Sequence, residues 1–213
     1  MVCSHCQGIE KEFGSDTARR QAEQLLRTGP GETTGWLIEA LLNGGVEGQT
    51  VLEVGGGVGA VTRALLLAGA RHAVFVEASS AYLDEARRQL AGQIPLDRVR
   101  YIHGDYVEVA SSLPKVDIAC LDRVICCYPD MPRLVSLSSQ RADRLYAAVF
   151  PRGVWWVRLV VRLINLGLRL KRTSFRVFAH RPEAIDAVLS RSGFERYLTR
   201  RTSVWELAVY RRA

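Results

Sequence analysis

The run Val51-Leu52-Glu53-Val54-Gly55-Gly56-Gly57-Val58-Gly59 is where residue types and spacing first imply chemistry. A buried strand ends there and a helix opens, and in an open α/β sheet a ligand meets the backbone at that junction. Glycine is needed because a Cβ would obstruct the approach. Glu77 ends the next strand, where a carboxylate can accept hydrogen bonds from both hydroxyls of a cofactor ribose. The competing role for Glu77 is a solvated residue at a helix start that Ser79 or Ser80 could cap instead, but an acid at this spacing after a glycine turn is the specific part of the fingerprint.

Taken alone, the glycine loop leaves two cofactor classes open. Gly55, Gly57 and Ala60 also satisfy G-x-G-x-x-G/A, so an NAD(P)-dependent oxidoreductase stays in view, and Glu77 does not discriminate because both cofactors carry the ribose. Three features favour S-adenosylmethionine (SAM). Glu53 lies two residues before the first glycine, where its charge would attract a cationic methionine end and repel a pyrophosphate. His103-Gly104-Asp105 closes a third strand and offers an acid to an adenine amino group. The end of the chain reads as an antiparallel hairpin, which is atypical of the dinucleotide fold. A SAM-binding regulatory protein without catalysis would share all these residues and differ only at the acceptor pocket.

Methyl transfer from a sulfonium is an in-line displacement, so alignment and water exclusion are the protein's main tasks and a general base is optional. Acceptor-side candidates follow the fourth strand, in Asp122-Arg123-Val124-Ile125-Cys126-Cys127-Tyr128-Pro129-Asp130. Asp122 is the first choice for touching substrate or cofactor, with a salt bridge to Arg123 as the alternative. Tyr128 and Asp130 are placed to shape the pocket, while Cys126 and Cys127 suit packing better than thiol chemistry. His180, just before Pro182, is a candidate base or substrate ligand by its near-neutral pKa, and equally a plain helix-start residue.

These residues need a scaffold, and the hydrophobic patterning supplies one. β-Branched runs at 50–55, 73–78, 99–104 and 116–121 alternate with helical stretches, which predicts a parallel sheet with helices on both faces. Helices are expected at 15–27 and 32–43 before the sheet, and at 131–143 before a fifth strand at 145–150. Residues 153–172 form an inserted helix, and a helix at 182–192 precedes strands near 194–200 and 204–210. The short link between those last two strands forces them antiparallel.

The 213 residues, 48% of them hydrophobic, suit one domain spanning 1–213, with an N-terminal helical extension at 1–48 and an insertion or lid at 153–181. The net charge of +7 comes largely from arginines spread through the second half, so nucleic acid is not expected as a partner. The start MVCSHCQGIEKEFG lacks the charged and apolar parts of a signal peptide, no charge-free apolar run of about 18 residues occurs, and a cytoplasmic protein is expected. Cys3, His5 and Cys6 resemble half of a zinc site, but a tetrahedral site wants four ligands and the remaining cysteines read as interior, so no metal is expected.

In the inserted helix Arg158, Arg162, Asn165 and Arg169 make one polar stripe while Trp155, Trp156, Leu159, Val160, Leu163, Ile164, Leu166 and Leu170 cover most of the rest. So broad an apolar face packs on the domain, covers an apolar substrate as a lid, forms a homodimer surface, or lies in a membrane interface.

Residues 50–130 resemble the class I SAM-dependent methyltransferases, with VLEVGGGVGAVTRALL as the glycine loop, VFVEAS carrying the ribose acid, HGD the adenine acid and VDIACLDRVICCYPD the fourth strand. The resemblance implies a Rossmann-like, doubly wound seven-stranded α/β sheet in the order 3-2-1-4-5-7-6 with strand 7 antiparallel. It places Glu53, Gly55, Gly57 and Gly59 at the methionine end of SAM, Glu77 at the ribose and Asp105 at the adenine. Gly56 departs from the acidic or cysteine-like residue more usual between the glycines. The N-terminal portion, from Cys3-x-x-Cys6 to Gly29-Pro30 and Thr33-Thr34, is similar to a group of bacterial methyltransferases that brings no named substrate. A small acceptor, apolar or aromatic, is the expectation, since no separate recognition domain is visible.

Overall fold

The computed structural model describes residues 4–213, with side chains from residue 8 onward; Cys3 and the side chains of His5 and Cys6 lie outside the described residues. Helices α1 (Ser4–Glu12), α2 (Ser15–Thr28) and α3 (Glu32–Asn43) lead into the sheet. There follow β1 (Thr50–Val54), α4 (Ala60–Leu67), β2 (His72–Glu77), α5 (Ser80–Leu90), β3 (Val99–His103), the short α6 (Tyr106–Val109) and β4 (Val116–Asp122). The second half holds α7 (Met131–Ser139), β5 (Ala142–Pro151), α8 (Trp155–Leu170), α9 (Pro182–Arg191), β6 (Phe194–Arg201) and β7 (Trp205–Arg212).

The strands form one seven-stranded sheet in the order β3-β2-β1-β4-β5-β7-β6, as the resemblance implied. β1 to β5 run parallel, and β7 pairs antiparallel with both β5 and β6. The period-2 alternation of each strand divides the core between two faces. Leu52, Val54, Val76 and Leu121 point toward the α7 and α9 side, whereas Val51, Phe75, Ile118 and Cys120 point toward α3, α4 and α5. The hairpin that ends the chain is fastened by buried Glu206, which accepts from Arg196 Nη1 at 2.6 Å and Arg201 Nε at 2.8 Å.

One boundary differs from the sequence pattern. The stretch 140–143 reads as a continuation of α7, but the helix stops at Ser139 in a tight turn closed by Arg141 N–H to the Ser138 carbonyl. Pairing of Ala142 with Val116 draws the following residues into β5, so sheet register overrides helix propensity there. Among the described residues no helix is long and apolar enough to cross a membrane.

Candidate active site

A cleft of about 560 Å³ opens over the carboxyl ends of β1, β2 and β4. Its floor is the glycine loop. Gly57 has φ +56 and donates its N–H to Glu77 Oε2 at 2.9 Å, with the Tyr82 ring packed beneath it. Gly55 lines the cleft so closely that a Cβ would meet Val124 Cγ2 at 2.5 Å. Gly59 has another place. It caps α4 at φ +82, lies outside the lining, and a Cβ there would meet Leu90 Cδ1 at 2.9 Å. Its smallness lets α4 start against α5, which is a packing task.

Glu77 is buried at the end of β2 and accepts from Gly57 N–H and, at 2.9 Å, from Ser79 N–H. Burial is the largest influence on it and raises its pKa. Ser79 caps α5 through Tyr82 N–H, so the capping role is already taken and Glu77 is left to the cleft. Glu53 lies one strand over, also buried, with Oε2 accepting from Thr62 N–H at 2.9 Å and Thr62 Oγ1 at 2.5 Å. Burial pushes its pKa up to about 8 against the ordinary 4.5, with Thr62's hydrogen bonds opposing. No protein donor reaches its Oε1 among the described residues.

Asp105 caps α6 through Val107 N–H at 2.9 Å and accepts the Tyr128 hydroxyl at 3.0 Å on Oδ2, so a side chain from beyond β4 closes over the end of β3. Asp122 ends β4. Its Oδ2 accepts from Thr34 Oγ1 at 2.6 Å, and its Oδ1 lies 3.3 Å from Arg123 Nε. Arg123 has φ +59, unusual for a side chain of that size, and lines the cleft beside Asp122. A strained residue of this kind costs on the order of 1–3 kcal/mol and persists where its surroundings fix it. Here Arg123 N–H is held by the Val149 carbonyl at 3.0 Å.

His180 is not among the lining residues. Its Nε2 donates to the Tyr128 carbonyl at 2.9 Å, and its ring stacks on Phe178, whose own N–H donates to the Cys126 carbonyl. Burial lowers its pKa. The pair pins the segment after α8 to the turn at 125–128. In that turn Cys126 and Cys127 lie side by side, with Sγ atoms 3.7 Å apart. Hydrogen bonding between them raises the Cys126 pKa and lowers that of Cys127.

The roof joins the segment after α8 to N-terminal residues that sequence spacing did not connect to the glycine loop. Phe13 from the turn between α1 and α2 and Gln21, Gln24 and Leu25 from α2 face the glycine loop across the cleft, and Phe175 and Val177 arrive from the segment after α8. Phe13 lies edge-on to Tyr82 and to Phe175, and its carbonyl accepts from Ser79 Oγ at 2.7 Å. Glu10 accepts from Ser80 N–H at 3.1 Å. Tyr82 Oη is buried in this wall with no hydrogen-bond partner among the described residues. Its pKa is pushed up to about 12, chiefly by burial.

Residues 51–142 match the model of a family described as a methyltransferase domain. Curated protein sequences give no match. The fold is similar to that of magnesium protoporphyrin IX methyltransferase from Synechocystis PCC 6803 with bound S-adenosylhomocysteine (SAH), at TM-score 0.75 and 19% identity over 96% of this chain and 98% of that one. The same enzyme with bound SAM superposes at TM-score 0.74 with 18% identity, over 100% and 99% of the two chains. An O-methyltransferase family protein from Burkholderia thailandensis gives TM-score 0.72 and 13% identity over 96% of this chain and 63% of that one. The matched segment holds the glycine loop, both strand-end glutamates, Asp105 and Asp122, so these acidic residues that line the cleft lie in a stretch similar to a methyltransferase domain.

Proposed function

We propose that the protein transfers the methyl group of SAM to a small apolar or aromatic acceptor. The observation that carries this reading is the apolar wall of the cleft beyond the glycine loop, made by Phe13, Leu25, Val124, Leu134, Phe175 and Trp205. Structural neighbours named for small-molecule chemistry, including magnesium protoporphyrin IX methyltransferase and a pyocyanin biosynthetic protein, support it. One neighbour's name carries an RNA acceptor. Residues 1–213 act as one cytoplasmic unit on this view, with 1–48 and 153–181 as its covers.

The residues present fit the cofactor. Gly55 and Gly57 let the backbone approach closely, Glu77 takes the ribose hydroxyls, Asp105 takes the adenine amino group with Tyr128 beside it, and Glu53 faces the cationic methionine end. SAM, when bound, supplies an electrophilic methyl carbon on a sulfonium.

The chain's own contribution is alignment and dryness. The roof excludes water, and Asp122, fixed by Thr34 and Arg123, stands at the end of β4 to orient the acceptor or accept its proton. His180 is a positioning residue on this reading. It holds Tyr128 and the 125–128 turn in place and does not touch the reacting atoms.

Calorimetric titration with SAM, SAH and NADH tests the cofactor assignment, followed by a screen of acceptors, RNA included, for SAH release. Binding of SAM and SAH without NADH, with turnover on an apolar small molecule, is the expected result. NADH binding without SAM overturns the assignment; SAM binding with turnover only on RNA overturns the acceptor class.

A further inference from the structure

We infer that α8 is a membrane-interface helix that docks the protein on a bilayer bearing anionic lipid. The helix packs on the body through Val157 and Leu168, which are buried. At 3.6 residues per turn, Trp155, Leu159, Leu163, Leu166 and Leu170 fall on one stripe on the opposite side. That stripe faces out: Trp155 is 76% exposed, Leu163 60% and Leu170 78%. An amphipathic helix of a water-surrounded protein turns its apolar side inward, and this one turns a second apolar side outward. Continuous outward apolar surface of this kind marks an interaction site.

Charge decides what covers it. Arg158, Arg162 and Arg169 line one flank of the exposed stripe, and Lys171 and Arg172 follow at its end. Between Asp143 and Glu183 the sequence has nine basic residues and no acidic one. Two copies of the helix packed against each other would bring arginine rows together with no carboxylate on α8 to pair them. An anionic bilayer instead offers hydrocarbon to the leucines and phosphate to the arginines, with Trp155 at the boundary. At 16 residues, α8 suits lying in the interface and is too short to span it.

The helix also connects this surface to the cleft. Asn165 clamps Val177 by both backbone groups, Nδ2 donating to its carbonyl at 2.7 Å and Oδ1 accepting its N–H at 2.9 Å. Val177 and its neighbour Phe175 line the cleft, so docking would set the cleft beside the lipid phase from which an apolar acceptor would come.

The test is flotation of the full chain with phosphatidylcholine vesicles, with and without phosphatidylglycerol, at low and high salt. Binding that requires phosphatidylglycerol and weakens with salt supports the inference. Arg162→Gln and Arg169→Gln should each weaken partitioning about fivefold, the equivalent of about 1 kcal/mol per basic residue near an anionic surface. Leu163→Asp should abolish binding while SAH binding persists, which shows the fold intact. The inference is overturned by absence of binding to anionic vesicles at low salt, by equal binding of Leu163→Asp and the parent, or by a solution dimer that Leu163→Asp dissociates.

Discussion

Glu53 sets up a measurable conflict between stability and pH. Its folded pKa of about 8, raised mainly by burial from the ordinary 4.5, means that the folded chain prefers the neutral acid. Stability from this group is therefore fully present below pH 4.5, is lost as pH rises toward 8, and stays flat above. At about 1.4 kcal/mol for each pH unit between those values, the loss amounts to at most about 5 kcal/mol. Glu53→Gln removes the titration while its amide oxygen still accepts from Thr62. Near pH 5 the two proteins should unfold at similar urea concentrations, and near pH 8.5 the variant should be the more stable by several kcal/mol. The variant should nevertheless bind SAH more weakly at the higher pH, because an amide does not attract an ammonium group. The measurement is the difference between the two urea-unfolding free energies across pH. Parallel profiles would refute the account, since they would place the ionisation of Glu53 outside the buried site.

Glu77→Ala removes a charged acceptor from the ribose and from the N–H groups of Gly57 and Ser79. At about 1.5–3 kcal/mol for each hydrogen bond to a charged group, SAH affinity should fall by at least about 100-fold in calorimetry, and a loss under about tenfold would exclude the ribose role. Gly59→Ala forces a Cβ toward Leu90 at a positive φ, with about 1–2 kcal/mol of left-handed strain, so the melting temperature should drop by several degrees. SAH affinity should stay within a few-fold, and an unchanged melting temperature would contradict the packing role. His180→Ala removes the imidazole hydrogen bond to the Tyr128 carbonyl and should cost about 1 kcal/mol. Because burial lowers the His180 pKa, its contribution is present above 6.5 and is lost on acidification through the folded value. The variant should keep the shape of the pH–rate profile; a vanished acidic limb with normal stability would restore the histidine as a base.

The sheet was legible because its signals are local. Each strand carries its own β-branched run, the glycine loop sits on one strand end, and the three-residue link at 202–204 allows only an antiparallel hairpin. The position of Glu77 at the end of β2 was legible for the same reason, through its spacing from the loop. The N-terminal part of the roof was not, because Phe13 and Leu25 reach the glycine loop from before α3 and no spacing rule connects them. Gly59 looked like a ligand-contacting glycine because the pattern records only the absence of a side chain, which Leu90 explains as well as a cofactor would. The placement of His180 depended on the direction of one ring, and only its contact with Tyr128 decides that.

The two covers of the cleft lean on each other. Gly8 in α1 is buried against the segment after α8, so closely that a Cβ would lie 2.6 Å from the Phe175 nitrogen, and Phe175 in turn meets Phe13 edge-on. Parting either cover from the cleft strips support from the other. The covers are thus mechanically coupled through one contact rather than standing as two independent flaps.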